Sequence, residues 1–507
     1  MQILDCTLRD GGYYNNWDFN DSLVDKYISC TNNLPIDYLE IGYRNPKLKG
    51  YFGKFYFCNL DVLKKFKNNS NKKISIMLNQ KSITTKNIEN ILNPILGYVD
   101  LVRMAVDPSK VDDCILIAKK IKEYNIDIAL NVMYASEWKD DNQTIDKIKS
   151  LEKYCKFLYL VDSFGSLFPD EVSSLVKKVK VNSILGFHGH DNLGLGLSNT
   201  LSAIDSGVGI VDATITGMGR GAGNLSTELL LTVLNKKKNL LIDFDSLSDI
   251  VSDFEVMKNE YKWGTSLPYM FSGANSFPQK QVMDWITKRF YSFNAIVRTL
   301  DKQKNDINNK KYENYSPKNS SRILLVGGGD SISLHSNSIL NFLYQNPDIV
   351  IVHSSYRNSK FFKKVKNKQL FCIAGNEGKR IEKNFLGSNE DHDFILAPSP
   401  REIDTYVPPN IASKTYELES ISFTDDYGST HTGITLQVAK EVNAKTIFVV
   451  GYDGYSFKEI TTKEAESFEE NSILFNNFMK KTNIKLISLT KTKYRELTQD
   501  AIFNYIK

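Results

Sequence analysis

Residues Ile184 to Leu197 read ILGFHGHDNLGLGL, an apolar run that ends in two histidines one residue apart. In a strand, side chains two residues apart project to the same side, so His188 and His190 can grip one metal ion. The chain has 6 histidines, and no other precedes His335. A further ligand stands near the N-terminus, where ILDCTLRDGG runs from a short apolar strand into Arg9, Asp10 and two glycines. A carboxylate beside a cation at a strand-to-loop junction suits metal chemistry. Taken singly, Arg9 and Asp10 read equally well as a surface ion pair, and the histidines as ordinary polar residues at a strand end. Together in one domain they read as convergent groups of one site.

Working outward, strand-like runs alternate with helical or polar segments, the pattern of a parallel α/β protein. The runs are QILDC at Gln2, YLEIG at Tyr38, ISIML at Ile74, VDLVRMAV at Val99, DIALNV at Asp127, FLYLVD at Phe157, ILGFHGH at Ile184 and IVDATI at Ile210. This repeat predicts a (β/α)8 TIM barrel over residues 1–300, with a helical tail containing Leu267 to Leu300. Barrel enzymes place their chemistry at the C-terminal strand ends. Here those ends carry Arg9 and Asp10, then Glu40, Asn79, Arg103, Asn131, Asp162 with Ser163, His188 with His190, and finally Thr214 to Asn224. Asn79 or Asn131 alone would more readily face solvent, but recurrence around the ring reads as a single cavity. Lys156 stands at the start of its strand, the wrong end for a Schiff-base lysine, so that nucleophile is set aside.

The chain of 507 residues exceeds one usual domain, and its hydrophobic content of 41% is ample for buried cores. The net charge of +5 comes from 64 basic and 59 acidic residues spread along the chain, which disfavours nucleic acid as a partner. No secretory signal and no apolar run near the roughly 20 residues of a membrane helix is present, so a cytoplasmic protein off the membrane is expected. The cysteines show no close pairing, which points to reduced, mostly buried thiols. A homo-oligomer is compatible with a barrel of this kind.

Residues 301–320, DKQKNDINNKKYENYSPKNS, are poor in large apolar residues and rich in Asn and Lys, as expected of a linker. Beyond it SRILLVGGGDSIS, PDIVIVHSS, QLFCIAG, DFILAPSP, KTIFVVGYDG and IKLISLT predict a Rossmann-like α/β domain over residues 321–507. Gly327, Gly328 and Gly329 follow its first strand without the full G-x-G-x-x-G pattern, so a tight structural turn competes with a ligand crevice.

DCTLRDGG at Asp5, VDSFGSLFP at Val161 and the long HGHDNLGLGLSNTLSAIDSGVGIVDATITGMGRGAGN at His188 resemble the DRE-TIM metallolyases, which include 4-hydroxy-2-oxoacid aldolases, HMG-CoA lyase and the isopropylmalate synthases. The long segment at His188 and VDLVRMAVDP are most similar to the aldolases, and the resemblance covers about residues 1–290. It implies a divalent ion held by Asp10, His188 and His190, with Mn²⁺ or Mg²⁺ first and Co²⁺ or Zn²⁺ also suiting the ligand types. It further implies a 2-oxoacid such as pyruvate and an aldehyde as substrates, joined or split through an enolate that the metal and Arg9 stabilise. Ser163, Arg103 and Asn224 are expected to meet substrate, and Glu40 and Asp162 to support the ligands or Arg9.

One departure from the aldolases stands out. Where they carry a histidine base three residues after the aspartate, this chain has Tyr13, which leaves proton transfer to Tyr13 or to a metal-bound hydroxide, or gives Tyr13 a packing role. The glycine-rich GMGRGAGN at Gly217 lacks the Lys-Ser/Thr end of a phosphate loop and reads as a close-packed loop beside the metal, with Asn224 and Glu228 near the site or the next helix start. The second domain resembles bacterial sialyltransferase-like and pterin-diphosphokinase-like domains, which would gather His431, Thr432, Asp453 and the Gly327 turn around a nucleotide or sugar nucleotide. His431 alone reads more readily as a helix-start histidine. Rival readings are an acetyl-CoA-dependent Claisen synthase, and a non-catalytic barrel attached to a nucleotide-binding transferase.

Overall fold

The eight apolar runs form β1 (Gln2–Asp5), β2 (Tyr38–Tyr43), β3 (Lys73–Asn79), β4 (Leu101–Val106), β5 (Asp127–Val132), β6 (Phe157–Asp162), β7 (Ile184–Gly189) and β8 (Ile210–Ala213). They close in chain order into a parallel barrel, with β1 pairing both β2 and β8. The computed structural model describes residues 1–287, 292–305, 312–384, 392–401, 403–455 and 462–506. Its chain divides into two compact units, Met1–Met283 and Asp284–Lys507.

Strands covered on both faces need apolar residues on both sides, hence the unbroken runs. Outward-facing Ile3, Leu39, Ile74, Val102, Leu130, Leu158 and Val211 pack in the large core beneath the helices. Inward-facing Leu4, Tyr38, Leu101, Ala129, Phe157, Tyr159 and Ile210 fill the barrel floor. On β7 the inward position beside Tyr159 is Gly186, where a Cβ would come within 2.7 Å of the Tyr159 ring. Two residues beyond Tyr38, Leu101 and Ile210, on the same inward side, stand Glu40, Arg103 and Asp212, all buried. A charged layer thus rests on an aromatic floor.

After β1 the structure departs from the expected strand-to-loop junction. Arg9 and Asp10 lie in a helix, Thr7–Asn15, that follows Cys6 directly. Its glycines read as loop signals because each weakens a helix by about 1 kcal/mol relative to alanine. Here they admit close neighbours: a Cβ would come 2.5 Å from the Met218 sulfur at Gly11 and 2.1 Å from the Trp17 ring at Gly12.

The expected helical tail is split between the units. Leu267–Ala274 belongs to the first, whereas Phe293–Lys304 belongs to the second. There Arg298 and Lys302 pair with Asp404 at 3.1 and 2.6 Å, and Thr299 Oγ1 accepts the Asp404 N–H at 2.8 Å. Within the stretch expected as a linker, Asp301–Lys304 complete that helix and Glu313–Asn314 form β9, paired with a later strand; residues 306–311 lie outside the described residues.

The second unit carries a parallel sheet of β10 (Arg322–Val326), β11 (Val350–His353), β12 (Gln369–Ile373), β13 (His392–Leu396), β14 (Thr415–Glu417), β15 (Thr446–Val450), β16 (Leu486–Ser488) and β17 (Thr498–Gln499), with β9 at one edge. The order is β17-β16-β15-β10-β11-β12-β13-β14-β9. The chain winds outward from β10 to β14, then crosses back to lay β15 beside β10, the doubly wound Rossmann pattern. The short strands β9, β14 and β17 escape sequence reading because two or three residues carry no usable period. No described helix is long and apolar enough to cross a membrane.

One buried carboxylate ties the barrel together. Asp5 accepts hydrogen bonds from Thr7 Oγ1 and Tyr27 OH, each at 2.6 Å, and from Thr227 Oγ1 at 2.7 Å, joining the end of β1 to helices Asp21–Asn32 and Thr227–Lys238. Truncation to alanine strands three buried hydroxyls, so Asp5→Ala is expected to destabilise the barrel by about 3 kcal/mol. The check is the urea dependence of amide exchange in β1 of the full-length chain, where a loss below about 1 kcal/mol would contradict this role.

Candidate metal centre

His188 stands next to last in β7 and His190 just beyond its end, so both imidazoles enter the barrel mouth, with ring centroids 5.0 Å apart. Each has its Nδ1 already engaged. His188 Nδ1 donates to Asp212 Oδ2 at 2.8 Å, and His190 Nδ1 donates to the Asp162 carbonyl at 2.9 Å. That sets the tautomer and leaves both Nε2 lone pairs free for a ligand, the usual arrangement of metal-binding histidine. Burial and the neighbouring His188 push the His190 pKa down to about 3, so its ring is neutral. Asp10 completes the set, with Oδ2 3.9 Å from His188 Nε2. Burial alone would raise the Asp10 pKa, but the Arg9 guanidinium foremost, with the Asn224 hydrogen bond, holds its carboxyl well below the usual carboxylate range. One ligand atom from each of Asp10, His188 and His190 lies within 4.8 Å of the others, so two imidazole nitrogens and a carboxylate oxygen fit one divalent ion. Cys6, His188 and Asp212 form a second such group, but Asp212 there already serves Arg103 and His188.

The charged layer below holds this set in place. Arg9 donates from Nη1 to Asp10 Oδ1 at 2.5 Å and from Nε to Glu40 Oε2 at 2.7 Å. Arg103 reaches the same Glu40 oxygen at 3.1 Å, Asp212 Oδ2 at 2.5 Å and Asn131 Oδ1 at 3.4 Å, and lies over the Tyr159 ring at 4.4 Å. A continuous chain of charge therefore runs from Asp10 through Arg9, Glu40, Arg103 and Asp212 to His188.

The remaining expected residues divide by where they face. Asn224 donates from Nδ2 to Asp10 Oδ2 at 2.6 Å, while its own Oδ1 is buried without a partner. Ser163 Oγ accepts the Tyr134 N–H at 2.8 Å, and its proton faces only the Met133 sulfur at 3.9 Å. Tyr13 OH lies 3.0 Å from Tyr43 OH, and its ring packs edge-on against Trp17 at 4.8 Å. Arg103, expected at the substrate, is instead fully buried, with its guanidinium spent on Glu40, Asp212 and Asn131. The Asp162 carboxyl turns away to accept the Ser166 and Leu167 N–H groups, and burial lifts its pKa to about 6; only its carbonyl reaches His190. Asn79 caps a turn through the Lys81 N–H, Glu228 accepts the Thr216 N–H, and Lys156 pairs with Asp127 at the far strand ends.

Two residues of the site escaped the sequence reading. Asp212 left a signal, a carboxylate inside the apolar IVDATI run and in step with inward-facing Ile210. Arg220, within GMGRGAGN, left none, because its relation to Tyr13 is set by the fold; its guanidinium carbon lies 5.3 Å from that ring centroid.

In the second unit His431 and Thr432 share a cleft of about 380 Å³ with Gly375, Asn376, Glu377 and Arg380. Asp453 turns elsewhere, accepting the Ser331 N–H at 2.8 Å beside the Gly327–Gly329 turn.

Residues 102–253 match the HMGL-like family model. A 4-hydroxy-2-oxovalerate aldolase of Carboxydothermus hydrogenoformans is 30% identical over 46% of this chain and 71% of its own length. An oxaloacetate decarboxylase of Mycobacterium tuberculosis is 22% identical over 59% of this chain and 90% of its own. Among solved structures, the N-terminal domain of a candidate aldolase from Bacteroides vulgatus is 53% identical, with a TM-score of 0.56, and is matched over 100% of its length by 59% of this chain. Through its N-terminal barrel, the chain belongs to the HMGL-like family, the DRE-TIM metallolyases.

Proposed function

We propose that the barrel makes or cleaves a carbon–carbon bond between pyruvate, or a related 2-oxoacid, and an aldehyde, using Mn²⁺ or Mg²⁺ held by Asp10, His188 and His190. The observation that carries this reading is the pair of imidazoles whose Nδ1 atoms are both tied down beside an ionised carboxylate. When bound, the ion supplies a Lewis acid for the oxygens of the 2-oxoacid. Arg9, held by Asp10 and Glu40, directs positive charge at the oxygen that becomes negative in the enolate. Ser163 has a hydroxyl proton to give the substrate carboxylate, and the open Asn224 Oδ1 accepts from a substrate hydroxyl. Glu40 and Arg103 act on substrate only by positioning Arg9 and Asp212. The Asp162 carbonyl orients His190. Tyr13 occupies the aldehyde side, where its hydroxyl, oriented by the hydrogen bond to Tyr43, gives its proton to the aldehyde oxygen in condensation, leaving a phenolate that takes that proton back in cleavage.

A second reading has its own support. Loss of CO₂ from oxaloacetate yields the same pyruvate enolate and needs no base to deprotonate a hydroxyl, which suits Tyr13 in place of histidine. The Mycobacterium tuberculosis relative is named for that reaction.

With Mn²⁺ and pyruvate in D₂O, the methyl signal of pyruvate is expected to disappear in a chelator-sensitive manner by NMR, and Asp10→Asn or His188→Gln is expected to slow this at least about 100-fold. Unchanged exchange in those variants would remove the metal assignment. Asp212→Asn leaves His188 without its anionic partner and is expected to weaken Mn²⁺ binding by about 10- to 100-fold in calorimetric titration. Tyr13→Phe is expected to lower aldol cleavage about 100-fold, and more than it lowers pyruvate exchange; equal losses in both would assign Tyr13 to packing.

A further inference from the structure

Three arginines approach the barrel mouth, and their surroundings differ. Arg9 and Arg103 each meet two carboxylates. The Arg220 guanidinium has no ion pair or hydrogen bond among the described residues, and its Nε is shielded from solvent. Its one close partner is the face of Tyr13, and a cation over an aromatic face leaves the N–H donors of the guanidinium unspent. Desolvated donors without acceptors are costly, and arginine's planar fork matches a carboxylate or phosphate with two parallel hydrogen bonds.

The backbone beneath Arg220 is fixed. Gly221 lies at φ +67°, and a Cβ there would come 2.2 Å from Gln279 Oε1. A Cβ at Gly219 would come 2.5 Å from Asn224 Nδ2 and 3.2 Å from Asp10 Oδ2. The Gly221 carbonyl accepts Tyr14 OH at 2.8 Å, and the Arg220 carbonyl accepts the Gly223 N–H at 3.2 Å. The loop therefore presses against the Asp10–Asn224 pair and presents its arginine over Tyr13.

We propose that Arg220 anchors a negatively charged group, a carboxylate or a phosphate ester, carried by the aldehyde partner. This inference rests on the aldolase reading of the same site. It makes the reaction selective for aldehydes with an anionic tail and gives the Tyr13 hydroxyl a substrate held at both ends.

The test uses the full-length chain with Mn²⁺ and pyruvate and compares kcat/KM within two pairs: glyceraldehyde 3-phosphate against glyceraldehyde, and succinic semialdehyde against butyraldehyde. The charged member of at least one pair is expected to lead by about tenfold or more, and the pair that responds identifies the anion. Arg220→Met is expected to bring that ratio close to one, and Arg220→Lys to restore part of it. Calorimetric titration with inorganic phosphate and with succinate reads the anchor without turnover, and binding of one of them is expected to vanish in Arg220→Met. Equal kcat/KM within both pairs in the unmodified protein, or binding of neither anion, overturns the proposal. Loss of pyruvate exchange in Arg220→Met also overturns it, by assigning the arginine to the 2-oxoacid carboxylate. Failure of the unmodified protein to exchange pyruvate or form any aldol product, with Arg220-dependent anion binding intact, defeats the aldolase reading and leaves the anion site standing.

Discussion

The Asp212 carboxylate is the point on which the site turns. A single oxygen receives both the Arg103 guanidinium and the His188 Nδ1 proton, so the tautomer of a candidate metal ligand depends on an arginine seated on the aromatic floor of the barrel. Buried ion pairs of this kind add little net stability, because desolvation offsets their attraction, yet removing one partner costs about 3–5 kcal/mol. Their use here is orientation. Glu40 links Arg103 to Arg9, and Arg9 reaches Asp10, so the groups from helix Thr7–Asn15, β2, β4, β7 and β8 share one electrostatic frame that can shift only as a whole.

The barrel supplies that frame because its strands alternate strictly. Tyr38 then Glu40, Leu101 then Arg103, and Ile210 then Asp212 each step from the apolar floor to the charged layer on one face. Gly186 makes room for the Tyr159 ring, which in turn lies under Arg103. The upper rim depends on close approach instead. Helix Thr7–Asn15 and the loop after β8 come together at Gly11 and Gly219, where a side chain would push Asp10 away from its partners. The cost of glycine in a helix is accepted where it brings a carboxylate to the metal site.

Above the metal ligands the mouth is aromatic. Tyr13, Trp17, Tyr43, Phe52 and Tyr56 contact one another, with Phe52 and Tyr56 stacked at 4.3 Å. Such a wall shields the mouth from water, and it sets the Tyr13 phenol, three residues after Asp10, at its edge. Arg220 lies against this wall at the Tyr13 ring, with no ion pair to a described carboxylate. In the second unit the strand order reverses between β10 and β15, and the cleft at His431 lies near the ends of a parallel sheet, where doubly wound folds keep their ligand crevices.

Local pattern was enough to read the eight barrel strands, the convergence of Asp10, His188 and His190, and six strands of the second sheet, because strand runs, the i, i+2 histidines and the DCTLRDGG segment are properties of neighbours in the chain. Tertiary structure decided what distant residues do to one another. Only the closed barrel brings Arg103 to Asp212 and so spends its guanidinium inside the barrel; only the turn after β6 spends the Asp162 carboxyl on backbone N–H groups; only packing against Met218 and Trp17 makes a helix of a segment with two glycines. Arg220 belongs to the same class, since nothing in GMGRGAGN says whether an acid will stand beside it. A residue's type and spacing are written in the chain, but its partners are set by closure of the sheet, and partners decide whether a charge holds the fold or remains free to meet a ligand.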